Sequence, residues 1–222
     1  MDGKPVVIFG IGSFAAVAEA YLRKDAGRQV VAYTVDAEYV TADTYAGKPL
    51  IAFEDLLESH PPACVSLLVA TGFRRVNGVR RGIYERCQEL GYDFITYVSS
   101  NAFVMTDEPL GKNTFVFEAN VIQPFVTIGD NVVVWSGNHI GHHSRVENHC
   151  FIASHAVVSG HVTVGEGSFI GVNATLRDGI TLGSRCVVGA GAVVLTDQAE
   201  GTVLRATPAA PHPRKSWELS NF

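Results

Sequence analysis

Residues 127–164 read TIGDNVVVWSGNHIGHHSRVENHCFIASHAVVSGHVTV, and an aliphatic side chain returns at every sixth position. A helix would return its apolar residues about every 3.6 positions and a half-buried strand about every 2. A fixed period of six therefore indicates a solenoid, in which each coil stacks on the one before it. The period holds without a slip through sixteen residues: Val104, Leu110, Val116, Ile122, Ile128, Val134, Ile140, Val146, Ile152, Val158, Val164, Ile170, Leu176, Leu182, Val188 and Val194.

Each six-residue unit predicts one short strand and one corner, so that three units close a triangular coil. The aliphatic residue then points into the prism, and the residue two positions before it also points inward and must be compact. Parallel strands of successive coils stack about 4.8 Å apart, so residues n and n+18 become neighbours. Glycine follows the aliphatic residue at six corners, where we expect unusual backbone angles. The compact inward residues are Ser144, Cys150, Ala156, Val162, Ser168, Ala174, Cys186 and Ala192, and the corner glycines are Gly129, Gly141, Gly165, Gly171, Gly183 and Gly189.

The composition fits a folded globular protein and argues against two classes of function. The 222 residues are 47% hydrophobic and 18% charged, with a formal net charge of −5, and no basic stripe indicates nucleic-acid binding. No segment is long enough to span a membrane. Cys150 and Cys186 would lie about 9.6 Å apart by coil stacking, too far for a disulfide, so reduced thiols and a cytoplasmic protein are expected. A cluster of arginines is expected on a solvated helix face, with phosphate contact as the alternative: Arg74, Arg75, Arg80 and Arg81.

The N-terminal residues alternate predicted strands and helices, the last strand at 93–98, and give a small α/β domain over residues 1–98. A strand at 5–9 leads through the turn GIGSFA into an apolar-periodic helix, as at the start of a dinucleotide-binding fold. Glycines in such a turn let the backbone approach a phosphate, and the helix N-terminus favours anions. Asp36 ends the second strand, where an acid that binds a ribose or base belongs. Since one glycine turn and one half-fold are present, a nucleotide sugar fits better than NAD.

A half-fold of this kind followed by hexapeptide repeats resembles the left-handed β-helix acyltransferases. Over nearly the whole chain it is similar to the nucleotide-sugar N-acetyltransferases that make bacillosamine and perosamine, a group that also includes sialic-acid O-acetyltransferases. The resemblance implies a Rossmann-like domain at 1–98, a left-handed parallel β-helix at 99–196 and a C-terminal tail at 197–222 packed along the prism. It implies direct transfer from acyl-CoA, acetyl-CoA by default, to the amino group of a nucleotide-linked sugar. It also implies no metal, and a homotrimer whose active site lies between subunits.

Six of the eight histidines lie between positions 139 and 161, and we interpret the cluster as functional, except for His149, which is expected to be a solvated outward residue. The segment 140–143 resembles the family's general-base segment, which implies that His142 takes the proton from the sugar amine. Coil stacking places Gly160 above His142, where the unshielded N–H would stabilise the oxyanion, as a glycine amide does in the family.

His143 stands where the family has an acid that polarises the base. Another carboxylate must then orient His142, or the base is less activated. Asp178 stacks two coils away, which makes it a poor substitute within one chain. Glu118 and Glu147 are the alternatives, the latter from a neighbouring subunit, and the sequence does not choose between them.

The resemblance also implies a groove for acyl-CoA parallel to the prism axis, where small residues leave backbone edges free. The family's Gly-x-Pro-Ala near the end of the repeat is replaced here by Ala-Thr-Pro-Ala at 206–209. Phe14 is expected to stack on the base or sugar. The predicted CoA contacts are His155, Gly160, Gly171, Val172, Asn173, Gly189 and Ala190, and the predicted sugar-nucleotide contacts are Gly10, Gly12, Ser13, Phe14, Asp36 and Gly72.

Three other functions compete with N-acylation. Sugar O-acylation is the nearest, since it needs the same base and the same acyl donor. A non-catalytic scaffold or sugar-nucleotide sensor would not need the histidine cluster. A trimeric β-helix carbonic anhydrase would bind zinc through three histidines, but its ligand spacing requires histidine where this chain has Ala102, Thr114 and Asn120.

Overall fold

The structure, a computed structural model, describes residues 3–211 and 213–218. Its N-terminal part is a five-stranded sheet with strand order β3-β4-β2-β1-β5, in which only the β3–β4 pair is antiparallel. One helix covers one face of this sheet and two cover the other. The elements are β1 (Val6–Phe9), α1 (Ser13–Lys24), β2 (Val30–Val35), β3 (Thr44–Tyr45), β4 (Lys48–Ala52), α2 (Phe53–Ser59), β5 (Ser66–Val69) and α3 (Gly78–Glu89), with a 3-10 turn at Ala37–Tyr39.

The remaining strands are two residues long and form three parallel sheets of a left-handed β-helical prism. The first sheet contains β6 (Tyr97–Val98), β8 (Phe115–Val116), β11 (Val133–Val134), β14 (Phe151–Ile152), β17 (Phe169–Ile170), β20 (Val187–Val188) and β22 (Val203–Leu204). The second contains β7 (Phe103–Val104), β9 (Val121–Ile122), β12 (His139–Ile140), β15 (Val157–Val158), β18 (Thr175–Leu176) and β21 (Val193–Val194). The third contains β10 (Thr127–Ile128), β13 (Arg145–Val146), β16 (Thr163–Val164) and β19 (Thr181–Leu182).

The predicted register is confirmed, because every strand pair within the three sheets from β8 to β21 joins residues eighteen apart, as in His139 with Val157. The periodic aliphatic residues from Val116 to Val194 are buried, and the compact residues two positions before them are buried as well. Val104 and Leu110, at the first coil, are half-buried against the same core.

The corners are built differently from the expectation. The corner glycines have ordinary backbone angles, and the residue two positions later has the positive φ, as in His143 at 59°. A glycine is needed instead because the next coil comes too close: a Cβ on Gly141 would lie 2.5 Å from the Gly160 nitrogen. Histidine is one of the residue types enriched at positive φ. The histidines at 143, 149, 155 and 161 therefore also serve the architecture of the corners, which the functional interpretation of the cluster overlooked.

Three corners connect the sheets, and each is given a name here because the site depends on them. The small-residue corner joins the first sheet to the second and contains residues 135–137, 153–155, 171–173 and 189–191. The histidine corner joins the second sheet to the third and contains residues 141–143, 159–161 and 177–179. The docking corner joins the third sheet back to the first and contains residues 129–131, 147–149 and 165–167.

The N-terminal domain covers the outer face of the first sheet. Phe14 on α1 contacts Phe115, Phe117 and Trp135, with ring centroids 5.5–6.2 Å apart. The predicted strand at 93–98 does not extend the N-terminal sheet. It makes a single bridge, from Phe94 to Leu67, and then continues as the first strand of the prism.

Arg80 connects the two domains. Its side chain is fully buried, so both expectations for the arginine cluster, a solvated helix face and phosphate contact, are wrong for this residue. Its guanidinium donates to the carbonyls of Asn131, His149 and Cys150 at 2.8–3.3 Å. Burial lowers the pKa of Arg80 to about 10, which still leaves it charged at neutral pH. A cation thus replaces water as the partner of three carbonyls at the docking corner.

His149 also belongs to this junction, so its expected place among solvated residues is wrong. Only 6% of it is exposed, and Asn131 Nδ2 donates to its Nδ1 across 2.9 Å. Asn131 Oδ1 accepts in turn from Asn113, whose own Oδ1 accepts from the Val69 amide. Burial, followed by the nearby Arg81 charge, lowers the pKa of His149, which suits a neutral ring that accepts a hydrogen bond.

The C-terminal segment differs from the expected packed tail. Strand pairing of the prism continues to Leu204, so it reaches beyond the predicted 99–196 on both sides. Leu204 and Ala206 still pack against the prism core, whereas residues 207–211 and 213–218 are all exposed and do not pack along the prism of their own chain. All four cysteines are free, as predicted. Within the described residues, no helix has the length and apolarity that crossing a membrane requires.

We expect Arg80→Ala to destabilise the protein by on the order of 3 kcal/mol, because three buried carbonyls lose their donor. The melting temperature should fall by roughly 6–12 °C for a chain of this size. The matched control is Arg81→Ala: Arg81 is exposed and paired with Glu85 at 2.7 Å, and its loss should cost less than about 1 kcal/mol. Equal melting temperatures for the two variants would contradict the role of Arg80.

Candidate active site

The N-terminal domain contains a cavity of about 640 Å³ at the carboxyl ends of its parallel strands. Open α/β sheets bind their ligands at this edge. All six predicted sugar-nucleotide contacts lie in its wall, together with Arg74, for which phosphate contact was the alternative expectation, and Arg86, which had no predicted role. The wall includes Gly10, Gly12, Ser13, Phe14, Asp36, Gly72, Arg74 and Arg86.

Three of these residues act differently from the prediction. Gly10 has φ 128°, and a Cβ there would lie 2.8 Å from the Ala70 carbonyl, so its glycine is required by the neighbouring strand. Arg86 Nη2 lies 2.6 Å from Asp36 Oδ1, and this ion pair neutralises the acid that was expected to bind a ribose or base. Phe14 packs its ring on the prism aromatics described above, so that surface is already in contact with protein.

The cavity has features that favour a phosphate group. The N-terminus of α1 opens beside it, with Gly12 at the cap and no acid in the first turn. Helix N-termini attract anions through their free N–H groups. Arg74 supplies positive charge to the same wall, where Arg86 is already paired with Asp36.

His142 lies where coil stacking predicts, at the exposed histidine corner. Its ring is directly over Gly160, and its Cε1 and Nε2 each lie 2.9 Å from the point that a Cβ of Gly160 would occupy. The His142 amide donates a hydrogen bond to Gln123 Oε1 at 2.8 Å. Within the part of the chain that the structure describes, the Gly160 amide donates no hydrogen bond, so it remains available beside the imidazole.

His143 contacts His142 through its ring nitrogen, with the two Nδ1 atoms 3.1 Å apart. His161, one coil above His143, stacks on it at a centroid distance of 4.8 Å. The sequence interpretation included His161 in the histidine cluster but gave it no role of its own, although the n+18 rule places it over His143. Three imidazoles therefore meet at the corner.

The three carboxylates considered as partners of His142 lie at three different corners of the prism. Glu118 is at the small-residue corner and accepts from Tyr21 at 2.7 Å. Glu147 is at the docking corner, where it accepts from the Glu166 amide. Asp178 is at the histidine corner, and its Oδ1 lies 3.3 Å from the same Gly160 Cβ point that His142 approaches. Asp178 is thus the nearest of the three, contrary to the expectation that coil spacing would keep it away.

The predicted CoA contacts, apart from Gly160, lie together at the small-residue corner. Four of them are exposed: His155, Val172, Asn173 and Ala190. Gly171 has no side chain, so the Ala190 amide nitrogen can lie 2.7 Å from the point that a Cβ of Gly171 would occupy. This corner and the histidine corner are the two edges of the second sheet. Within one chain, the predicted general base and the predicted CoA groove are therefore on opposite edges of one face.

Comparison with known proteins places this geometry in a family. The model described as "Bacterial transferase hexapeptide (six repeats)" matches residues 125–160, and the one described as "Hexapeptide repeat of succinyl-transferase" matches residues 161–196. Comparison with the curated proteins finds no match.

Solved structures resemble the chain over most of its length. A mutant of perosamine N-acetyltransferase from Caulobacter crescentus, in complex with CoA and GDP-perosamine, is 28% identical over 90% of this chain and 92% of that one, with a TM-score of 0.80. The acetyltransferase domain of PglB from Neisseria gonorrhoeae FA1090, in complex with acetyl coenzyme A, is 28% identical over 94% and 99%, with a TM-score of 0.81. WeeI from Acinetobacter baumannii AYE, at 16% identity over 90% and 95%, shares the fold with a TM-score of 0.75.

The repeat, the exposed histidine corner and these matches define the class of protein, an acyltransferase of the hexapeptide-repeat type. Within that class, the chain is similar to sugar acetyltransferases, among them one that acts on GDP-perosamine.

We expect Gly160→Ala to remove most activity without unfolding the protein. The added Cβ would meet only the flexible ends of His142 and Asp178, and Gly160 has no positive φ, so displacement of the ring costs little stability. A base displaced by about 1 Å can lower kcat about 100-fold. Kinetics and a melting curve measure the two effects separately.

The control for this variant is the same substitution in a His142→Ala background, where it should cost no further activity. Wild-type kcat in Gly160→Ala alone would contradict the contact between the ring and the glycine.

Proposed function

We propose that the chain transfers the acetyl group of acetyl-CoA to the amino group of a nucleotide-linked amino sugar, with His142 as general base. The observation that carries the proposal is the His142 imidazole lying beside Gly160, whose amide donates no hydrogen bond within the described residues. A base and an oxyanion donor side by side are what acyl transfer to an amine requires. The complexes of the similar proteins with CoA, acetyl-CoA and GDP-perosamine support the choice of substrates.

The reaction needs positioning, one group that accepts a proton and later passes it on, and one oxyanion donor. The sugar amine attacks the thioester carbonyl, and a neutral His142 nitrogen takes the proton that the amine loses. The Gly160 N–H donates to the oxyanion of the tetrahedral intermediate. As the intermediate collapses, the C–S bond breaks, CoA thiolate leaves, and the proton on His142 passes to the sulfur. No acyl-enzyme is formed.

His143 replaces the acid of the family as the group that orients the base. Its Nδ1 shares a hydrogen bond with Nδ1 of His142, so the reacting nitrogen of His142 is Nε2, the atom that lies over Gly160. The Asp178 carboxylate approaches the same place and favours the positive charge that His142 acquires during transfer. His143 is therefore a positioning residue in this account.

The nucleotide is assigned to the cavity of the N-terminal domain, with its phosphates at the α1 N-terminus and beside Arg74. This cavity lies in the domain that packs on the first sheet, whereas the histidine corner joins the other two sheets. A sugar held in the cavity of one chain is thus on the wrong side of the prism for its own His142. The base and the bound substrate must come from different copies of the chain.

The second sheet supplies a surface for such an assembly. Its outer face carries exposed apolar side chains, with Phe103 61%, Val157 38% and Val193 64% exposed, whereas the third sheet carries Thr127, Arg145 and Thr163 outward. Exposed apolar patches of this kind mark contacts between proteins. Threefold packing through this face would bring the histidine corner of one copy against the small-residue corner of the next, which joins the base to the predicted CoA groove.

The proposal is tested by His142→Ala, which should lower kcat at least 100-fold, the scale of general-base catalysis, while CoA still binds. Free-thiol release is measured with GDP-, UDP- and dTDP-linked 4-amino sugars, and CoA binding by calorimetry. His60→Ala, on the N-terminal domain, is the control and should keep its activity. Unchanged turnover in His142→Ala would refute the general base, and hydroxyl sugars accepted in place of amines would refute N-acylation.

A second test addresses the assembly. We expect Val157→Asp to convert the oligomer to monomers and to lower activity more than tenfold, because a charge is placed in the apolar contact. Thr181→Asp, on the outer face of the third sheet, is the matched control and should keep the native mass by light scattering. A monomeric wild-type enzyme with full activity would contradict the shared site.

A further inference from the structure

The three imidazoles at the histidine corner have a feature that acyl transfer does not require. The nitrogens that His142, His143 and His161 offer as ligands all lie within 4.8 Å of one another, and all three residues are exposed. Among the described residues, no other group of three histidine, cysteine or acidic side chains comes together in this way.

The prism backbone brings these three residues together. His143 and His161 occupy equivalent positive-φ positions in successive coils, and their rings are stacked with planes only 14° apart. His142 stands edge-on to both, at 89° and 87°. Phe125 packs under His143 at 4.6 Å, and Gly160 leaves the space that the His142 ring occupies.

The spacing agrees with the needs of a transition metal. Zinc binds imidazole nitrogen at about 2.0–2.1 Å in a tetrahedral arrangement, which sets ligand nitrogens about 3.3 Å apart. The Nδ1 atoms of His142 and His143 are already 3.1 Å apart. Rotation of the exposed His161 side chain about its χ angles closes the remaining distance, and Asp178 adds a negative charge beside the cluster.

We propose that His142, His143 and His161 form a three-histidine site for a divalent transition metal of the zinc type, with one coordination position open to solvent. The set differs from the carbonic-anhydrase pattern rejected above, because two ligands are adjacent in sequence and the third follows one coil later. The metal takes the lone pair of His142, so its binding reversibly inhibits acyl transfer. This consequence rests on the proposed function, whereas metal binding does not.

The test begins with the full-length, metal-free protein and Co²⁺, whose tetrahedral complexes absorb visible light. We expect one Co²⁺ per chain, displaced by Zn²⁺, and at least a tenfold weaker affinity in His161→Asn. His60→Asn should bind as the wild type does. Absence of the Co²⁺ spectrum, or equal affinity in His161→Asn and wild type, would overturn the proposal.

The second measurement is acyl transfer with and without Zn²⁺. Zinc should inhibit the wild-type enzyme and a chelator should restore its activity, whereas zinc should lower the activity of His161→Asn by less than about twofold from that variant's own metal-free value. Zinc binding to the three histidines without inhibition would overturn the inhibitory role. Co²⁺ binding by a protein that transfers no acyl group when metal-free would leave the site standing and refute the proposed function instead.

Discussion

The close stacking of successive coils is the constraint on which the rest of this structure depends. Strands about 4.8 Å apart leave no room for a side chain at certain corner positions, so glycine is required at Gly141 by the backbone above it. The same spacing puts every eighteenth residue in one column. His142, Gly160 and Asp178 form one such column, and the bare middle member lets the outer two approach one point. The candidate chemistry is therefore a consequence of the repeat.

Most of the prism could be predicted from the sequence because its contacts are periodic. The buried aliphatic column, the compact inward residues and the position of Gly160 over His142 all follow from one period of six. The corner geometry was predicted less well. Positive φ falls two residues after the expected glycine, and this shift explains why histidine and asparagine are frequent there.

Contacts between the two domains could not be predicted, because no period relates them. Arg80 looks like its exposed neighbour Arg81 in sequence, yet it is fully buried and holds three carbonyls of the prism. His149 is buried by the same contact. Asp36 was expected at the nucleotide cavity and is there, but nothing in the sequence indicated its ion pair with Arg86, which is fifty residues away.

The proposed components of the site occupy three places on one chain: a nucleotide cavity in the N-terminal domain, a general base at one edge of the second sheet and a small-residue groove at its other edge. Their separation explains why the apolar face between the two edges matters for function. An active site divided in this way makes catalysis dependent on assembly. It also leaves the histidine corner open to solvent in the isolated chain.

Mixed oligomers test the divided site most directly. One chain carries His142→Ala, and the other carries Ala190→Trp to fill the predicted groove; each is expected to be inactive alone. In a random equal mixture, about a quarter of the subunit junctions would combine an intact histidine with an intact groove. The account predicts recovery of about that fraction of wild-type activity. A mixture as inactive as its two parents would show that base and groove act within one chain.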